Sequence, residues 1–378
     1  MRRHRGFTLV ELMVGLTIGL LTVLIITEVF AVSNIRNRQI AGSNDAQQVA
    51  AIASYQIGNI LRQAGSNLLQ SSNVWGCTLQ VRKGGYTHPP AAFPDPFSLL
   101  SPVGLRVTPI VIRGADTTPG SRESDIVLAM GGSGGTSNIF SAEPDSGGGY
   151  EFVVENSNGV LPSDYLLIAD TSTVLGEDCH LLQVSSSFTL AYTAGRLDNT
   201  PKSIPLEPGV GLGSLAAMTA TMTETGLFNL GAVPKFYLLG VDPLKMTLTL
   251  YDLLQDRNNG TLGSAITLGE NVFLLRVLYG VDSGAGGLVW HSPTETGWAF
   301  SDLQAGTIAA TNSLQAIKAL RFALVTRTTY PSSDLSPTTI KLFSSLGVAD
   351  LEQTITLTGA ERRYRYQVYE NVVPLFNI

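Results

Sequence analysis

The sequence is poor in the side-chain patterns on which catalysis and metal binding depend. Its four histidines are scattered, and no H-E-x-x-H motif is present. Asp116, Glu123 and Asp125 lie close together but lack the D-x-D-x-D-G spacing of a calcium-binding loop. The Gly-rich run at 131–136 lacks the Lys-Ser/Thr ending of a phosphate-binding loop, so we interpret it as a hairpin loop. The sequence therefore predicts no enzymatic activity, no cofactor and no metal site.

Charged residues are also scarce. They make up only 14% of the chain, and the formal net charge is −6. A nucleic-acid-binding protein normally carries a clear excess of positive charge. The one cluster of basic and aromatic residues, at 362–366, alternates as a half-exposed strand does. We therefore predict that nucleic acid is not a partner.

Proline is absent between Met1 and Val81, so no proline interrupts a helix there. Residues 7–32 are mostly apolar and long enough to cross a bilayer, which takes about 20 residues. Further on, apolar residues recur at helical spacing and form one stripe: Val49, Ile52, Ala53, Ile57, Ile60, Leu61 and Ala64. The sequence predicts a helix over residues 7–65. Its first part, about residues 7–31, spans a membrane, and its second part packs on a sheet.

The chain lacks the A-x-A-like cleavage site that follows the apolar region of an ordinary secretory signal. Instead, Arg2, Arg3 and Arg5 precede the apolar run, and positive charge before a first span stays in the cytoplasm. The remainder is then predicted to be periplasmic, where a cysteine pair favours a disulfide. Cys77 and Cys179 are the only cysteines and have no C-x-x-C spacing, so we predict a bridge between them.

The junction of leader and span resembles the motif of type IV prepilins. The residues that carry the resemblance are Gly6-Phe7-Thr8-Leu9-Val10-Glu11. It implies that a prepilin peptidase removes residues 1–6, cutting between Gly6 and Phe7, and then N-methylates Phe7. It also implies that Glu11, an acid that is costly inside a membrane span, pairs with the terminal amine of a neighbouring subunit during assembly. The alternative is that Glu11 only marks the membrane interface, the role that we predict for Glu28.

Residues 66–378 are predicted to form one β-rich globular region, and the alternative is a pair of subdomains divided near 201–213. The expected fold class is α+β and type IV pilin-like, with the long N-terminal helix packed on a mainly antiparallel, β-rich domain. We predict a loop from 65 to 102 and a short helix at 313–318. The predicted strands, rich in β-branched and aromatic residues, are 105–112, 125–130, 151–155, 165–170, 180–184, 188–192, 235–241, 246–251, 272–282, 320–326, 354–357 and 364–373.

The segment 364–378 resembles the ending of PilW-family minor pilins, although Phe376 stands where that family often has Arg. The resemblance implies a minor pilin that primes assembly of the type IV pilus or lies at its tip. It implies an inner-membrane location with a periplasmic domain, followed by the fibre at the cell surface. The implied partners are other minor and major pilins, the prepilin peptidase, the inner-membrane assembly platform, the lipid bilayer and a PilY-type tip adhesin. The alternatives are a GspJ-like minor pseudopilin of type II secretion, a DNA-uptake competence pilin and a membrane-anchored periplasmic enzyme.

Overall fold

The computed structural model describes most of the chain after its leader. The described residues are 8–68, 74–83, 86–88, 92–100, 104–118, 121–133, 139–145, 149–155, 157–172, 177–189, 203–207, 215–255, 263–284, 286–332 and 334–378. The predicted cleavage site, Gly6 and Phe7, lies outside them. Architecturally the chain is a long N-terminal helix followed by a β-rich domain, which confirms the predicted α+β, pilin-like fold class.

The first element is the helix α1, Leu9–Arg62, which is 54 residues and therefore about 81 Å long. Thr8 caps its start, and Gln63 follows its last turn. Gly65 then adopts a left-handed backbone, with φ +78°. Its N–H donates to the Met130 carbonyl (2.8 Å), which fastens the end of the helix to the sheet below it. The predicted helix and its stop near Gly65 are therefore present.

The two halves of α1 have different surroundings. Every residue from 8 to 34 is exposed. From residue 42 onward one face of the helix is buried against the sheets. Most of the buried residues are small, which allows the helix to approach the sheets closely. They are Gly42, Ala46, Ala50, Ala53, Ile57, Gly58, Leu61 and Ala64. The predicted apolar stripe is thus correct at Ala53, Ile57, Leu61 and Ala64, whereas Ile52 remains 47% exposed. The contact face begins earlier than predicted because alanine and glycine form its first part.

The β-rich body contains nineteen described strands. They are β1 Thr78–Lys83, β2 Tyr86–His88, β3 Ile110–Arg113, β4 Ile126–Gly131, β5 Ile139–Pro144, β6 Glu151–Val154, β7 Tyr165–Asp170, β8 Asp178–Gln183, β9 Ser203–Pro205, β10 Thr225–Gly231, β11 Lys235–Asp242, β12 Thr247–Asp252, β13 Ile266–Glu270, β14 Val272–Asp282, β15 Leu288–His291, β16 Ile317–Arg327, β17 Thr339–Leu342, β18 Gln353–Thr356 and β19 Tyr366–Pro374. Short helices are α2 Leu215–Met218, α3 Phe300–Leu303 and α4 Ile308–Ala316, with 3₁₀ turns at Phe97–Leu99, Ser344–Leu346 and Glu361–Arg363.

These strands form four sheets. Their orders are β2-β1-β8-β7-β10-β5-β6-β9, β13-β12-β11-β4-β3, β15-β14-β16-β19 and β17-β18. Among the described pairings only β1 with β8 is parallel. The amphipathic half of α1 lies against β13, β16 and β19, and its buried face joins a core shared by the three larger sheets. The first sheet contains strands from both sides of residues 201–213, where the subdomain division stays a prediction.

Several predicted elements differ from the structure. The loop predicted at 65–102 is wrong in part, because it contains β1 and β2. Of the strand predicted at 105–112, only residues 110–112 lie in a strand, β3. Pro109, just before β3, cannot donate a backbone hydrogen bond. The helix predicted at 313–318 is α4, which ends at Ala316, where β16 takes over. Of the strand predicted at 188–192, residues 188–189 are not in a strand, and the rest lies outside the described residues.

The predicted disulfide is present between Cys77 and Cys179, whose Cα atoms are 5.6 Å apart. Cys77 directly precedes β1, and Cys179 lies in the neighbouring strand β8. The bond closes a loop with a sequence separation of 102 residues. In the chain-entropy model a loop of that size stabilises the fold by up to about 4.7 kcal/mol.

Candidate functional site

Thr8 and Glu11 form a reciprocal cap at the start of α1. The Glu11 N–H donates to Thr8 Oγ1 (3.2 Å), and the Thr8 N–H donates to Glu11 Oε2 (3.2 Å). The Thr8 hydroxyl donates to the same carboxylate oxygen (3.1 Å). This is a capping box, which satisfies backbone donors that the first helical turn leaves without partners. The Thr-x-x-Glu spacing in the sequence is the signature of such a cap, whereas the prediction for Glu11 concerned only its charge in a membrane span.

The cap leaves part of the Glu11 carboxylate available. Within the described residues, the hydrogen bonds to this carboxylate all end on Oε2. Glu11 is exposed and lies in the first turn, where the helix dipole favours negative charge. A cation from outside the subunit can therefore reach Oε1 without displacing the cap.

The apolar segment behind Glu11 has the length and composition of a membrane span. It lies in the exposed half of α1 and has a mean hydropathy of 2.5. Glu11 and Glu28 are 17 residues apart, or about 26 Å along the helix, close to the roughly 30 Å of a hydrocarbon core. The positions of the two acids therefore suit the two edges of a bilayer.

Three threonines interrupt the span at little cost. Each hydroxyl donates to a backbone carbonyl one turn earlier: Thr17 to Val14 (2.9 Å), Thr22 to Ile18 (2.7 Å) and Thr27 to Leu24 (2.8 Å). These bonds satisfy the hydroxyls inside the helix itself, so no polar partner is needed from lipid or from another chain.

The other acids considered in the sequence have structural partners. Asp116 accepts hydrogen bonds from the backbone N–H and hydroxyl of Thr118, and these bonds lower its pKa. Asp125 is buried and accepts from Arg276 (3.3 Å) and from the Val277 N–H (2.7 Å). Among the described residues, no group of three or more His, Cys, Asp or Glu side chains is placed to hold a metal ion.

The basic and aromatic cluster is not wholly the strand that we predicted. Arg362 and Arg363 belong to a 3₁₀ turn, and β19 begins only at Tyr366. Between them, the Tyr364 ring lies under the Arg327 guanidinium at 4.2 Å. Of the Gly-rich run, Gly131 ends β4, and residues 134–136 lie outside the described residues.

Comparison with known proteins identifies the beginning of the chain. A family model described as "Prokaryotic N-terminal methylation motif" matches residues 1–27. No curated protein and no solved structure gave a significant match. The matched residues include the predicted cleavage site, the capped Glu11 and most of the apolar span. The motif therefore supports a type IV pilin-like protein, either a pilin or a pseudopilin, that interacts with other pilins and with the prepilin peptidase.

Proposed function

We propose that this chain is a minor pilin of the type IV pilus, of the PilW kind, which primes fibre assembly or occupies the fibre tip. The observation that carries the proposal is the bare first half of α1, where residues 8–34 are apolar in the main and exposed. Such a surface requires either lipid or other helices around it. A methylation motif at one end and a large β-rich body at the other fit a subunit whose helix moves from lipid into a bundle of other helices.

In this proposal the prepilin peptidase cuts between Gly6 and Phe7 and methylates the new amine of Phe7. The Thr8–Glu11 cap then lies directly beside the new chain terminus. An amine at the start of a helix adds positive charge to the positive end of the dipole. A carboxylate from a neighbouring subunit offsets that charge, which would otherwise be costly away from water. Oε1 of Glu11, to which no described residue donates a hydrogen bond, is the acceptor that we assign to this pairing.

The body is proposed to make contacts rather than to catalyse a reaction. It is the part of the chain that remains outside a bundle of packed helices, so it meets other minor pilins laterally and supports a PilY-type tip adhesin. The ending at 364–378, which resembles that of PilW-family proteins, and the length of the chain favour this role over that of a GspJ-like pseudopilin.

Two substitutions separate the charge of Glu11 from its capping role. Glu11→Ala removes both, whereas Glu11→Gln keeps a side-chain oxygen for the cap, because glutamine also serves in capping boxes. We expect both variants to be processed normally and both to leave cells with few or no pili. The measurements are the intact mass of the mature chain, which reports leader loss and methylation, and the number of pili seen by electron microscopy.

Glu28→Gln is the matched control, because it neutralises the other acid of the same helix and should leave piliation at the parental level. Normal piliation with Glu11→Gln but not with Glu11→Ala would show that the cap, and not the charge pair, is what assembly needs. Loss of type II secretion with unchanged pili in both Glu11 variants would make the chain a pseudopilin.

A further inference from the structure

The strands beside α1 show which end of the body lies toward the apolar half of the helix. The Thr326 hydroxyl, near the end of β16, donates to the Ala46 carbonyl (3.3 Å). At the opposite end of the sheet, the Asn377 side-chain amide donates to the Arg62 carbonyl (3.0 Å). β16 therefore runs antiparallel to α1, and the chain that leaves it after Arg327 continues toward the start of the helix.

Two segments form that end of the body. Gln39 of α1 donates through its side-chain amide to Ser332 Oγ (3.2 Å), so the chain after β16 reaches the helix there. The same segment is hydrogen-bonded to the turn before β19, from the Ser332 N–H to the Arg363 carbonyl (2.5 Å) and from the Ser336 N–H to the Arg362 carbonyl (2.7 Å). The two segments therefore form one platform beside the helix.

The platform exposes two kinds of side chain, and we define them as the basal surface: Tyr330, Leu335, Arg363 and Arg365. Tyr330 is 53% exposed and Leu335 is 59% exposed. Both arginines are also exposed, and Arg365 bonds to the exposed carboxylate of Asp334 (3.2 Å). An aromatic and an aliphatic side chain between arginines is the combination that membrane-surface segments use.

Positive charge is in excess at this end, although the whole chain has a net charge of −6. Glu361, the acid inside the arginine cluster, is held by Arg122 (2.6 Å). The other acids among the described residues at this end are Asp45, Glu270 and Asp334. Opposing them are the basic residues of the platform and of the end of β16: Arg327, Arg362, Arg363 and Arg365.

The basal surface lies close to where a bilayer would end. The apolar run ends at about Val32, and Gln39 is seven residues further on, or about 10 Å along the helix. The headgroup layer extends about 5–7 Å beyond the hydrocarbon core. Side chains on the platform are therefore within about one Debye length, 8 Å, of the lipid phosphates.

We propose that the basal surface docks on anionic phospholipid headgroups at the membrane face from which α1 emerges, and so holds the body in one orientation until the subunit joins a fibre. This inference rests on the membrane-spanning helix of the proposed function. An arginine near an anionic surface gains about 1 kcal/mol, which favours the docked state about fivefold for each arginine. Tyr330 and Leu335 supply the apolar contacts that distinguish docking in one orientation from nonspecific electrostatic attraction to the lipid surface.

The test uses the full chain in nanodiscs of phosphatidylcholine, with or without phosphatidylglycerol. A nitroxide on Leu335→Cys reports docking, and one on Leu161→Cys is the matched control. Leu161 is 55% exposed, and its loop lies at the other end of the body, linked through Asn229 to Asn67. We expect phosphatidylglycerol to lower the accessibility of the Leu335 label to a water-soluble relaxation agent severalfold and to leave the Leu161 label unchanged. The variant Arg363→Gln/Arg365→Gln should abolish most of that change.

A third label, on Ile18→Cys, separates failure of this inference from failure of the proposed anchor. An Ile18 label buried in lipid together with a Leu335 label indifferent to phosphatidylglycerol would overturn basal docking alone. An Ile18 label in water would overturn both. If the double variant instead lost binding to single-stranded DNA while the Leu335 label ignored the lipid, the surface would be a nucleic-acid site and the lipid proposal would be wrong.

Discussion

Gly65, just after the end of α1, is the position where a single methyl group should disturb the attachment of the helix to the body. Its φ of +78° is disfavoured for any side chain, and an added Cβ would overlap the carbonyl oxygen of Asn377 and lie 3.0 Å from Ile378 Cγ1. Backbone strain alone costs Gly65→Ala about 1 kcal/mol. Moving the C-terminal segment, which bonds to the Arg62 carbonyl (3.0 Å), adds about 1–3 kcal/mol.

Gly104 provides the matched control. Its φ is +74°, nearly the same as that of Gly65, but an added Cβ would have no atom of the described residues within 4 Å. Gly104→Ala should therefore lose only the strain, about 1 kcal/mol, whereas Gly65→Ala should lose about 2–4 kcal/mol. The assay is urea unfolding of the full chain in detergent, followed by tryptophan fluorescence. Equal losses in the two variants would refute the close approach of the C-terminal segment to the helix end.

Two further predictions concern charged side chains in the body. Asp125→Asn should lower the free energy of unfolding by about 3–5 kcal/mol, because it leaves Arg276 charged in a buried site, whereas Asp334→Asn, at an exposed pair, should cost at most about 1 kcal/mol in the same urea assay. Burial tends to raise the pKa of Glu361, but hydrogen bonds, chiefly from Arg122, outweigh it and lower that pKa to about 2 from an ordinary 4.5. The carboxylate thus stabilises the fold above about pH 4.5, and its contribution of about 1–2 kcal/mol should disappear as the pH falls toward 2. Glu361→Gln should flatten that part of the pH profile of unfolding, and an unchanged profile would contradict the assignment.

The sequence predicted best those elements whose pattern is local. A run without proline, a threonine before the helix and a glycine after it determine α1, and the apolar run at 272–282 coincides with β14. β10 was missed because its seven residues include Gly226 and Gly231, which weaken any strand pattern. That strand depends on backbone pairing with β5 and β7 on its two sides, and such pairing leaves no local signal.

The same distinction applies to the residues for which a function is proposed. The Thr8–Glu11 cap is four residues long and could have been recognised from its spacing alone. The basal surface could not, because Tyr330 and Arg363 are brought together only when the chain after β16 bonds to the turn before β19. The arginine cluster at 362–366 looked like an ordinary strand because its neighbours in space are more than twenty residues away in sequence.

The bare half of α1 also limits how the subunit can leave a membrane. Sixteen large apolar side chains between residues 9 and 32 are at least 47% exposed. At about 1.5–3 kcal/mol for each buried side chain, moving them all into water would cost some tens of kcal/mol. That exceeds the roughly 5–15 kcal/mol that stabilises a typical folded domain, so an isolated subunit in water is not an intermediate on any workable route. In the proposed function the helix must therefore pass from lipid directly to the packed helices of a fibre. Because that transfer exchanges one apolar environment for another over most of the span, the same proposal assigns to the charge of Glu11 the deciding contribution to its last step.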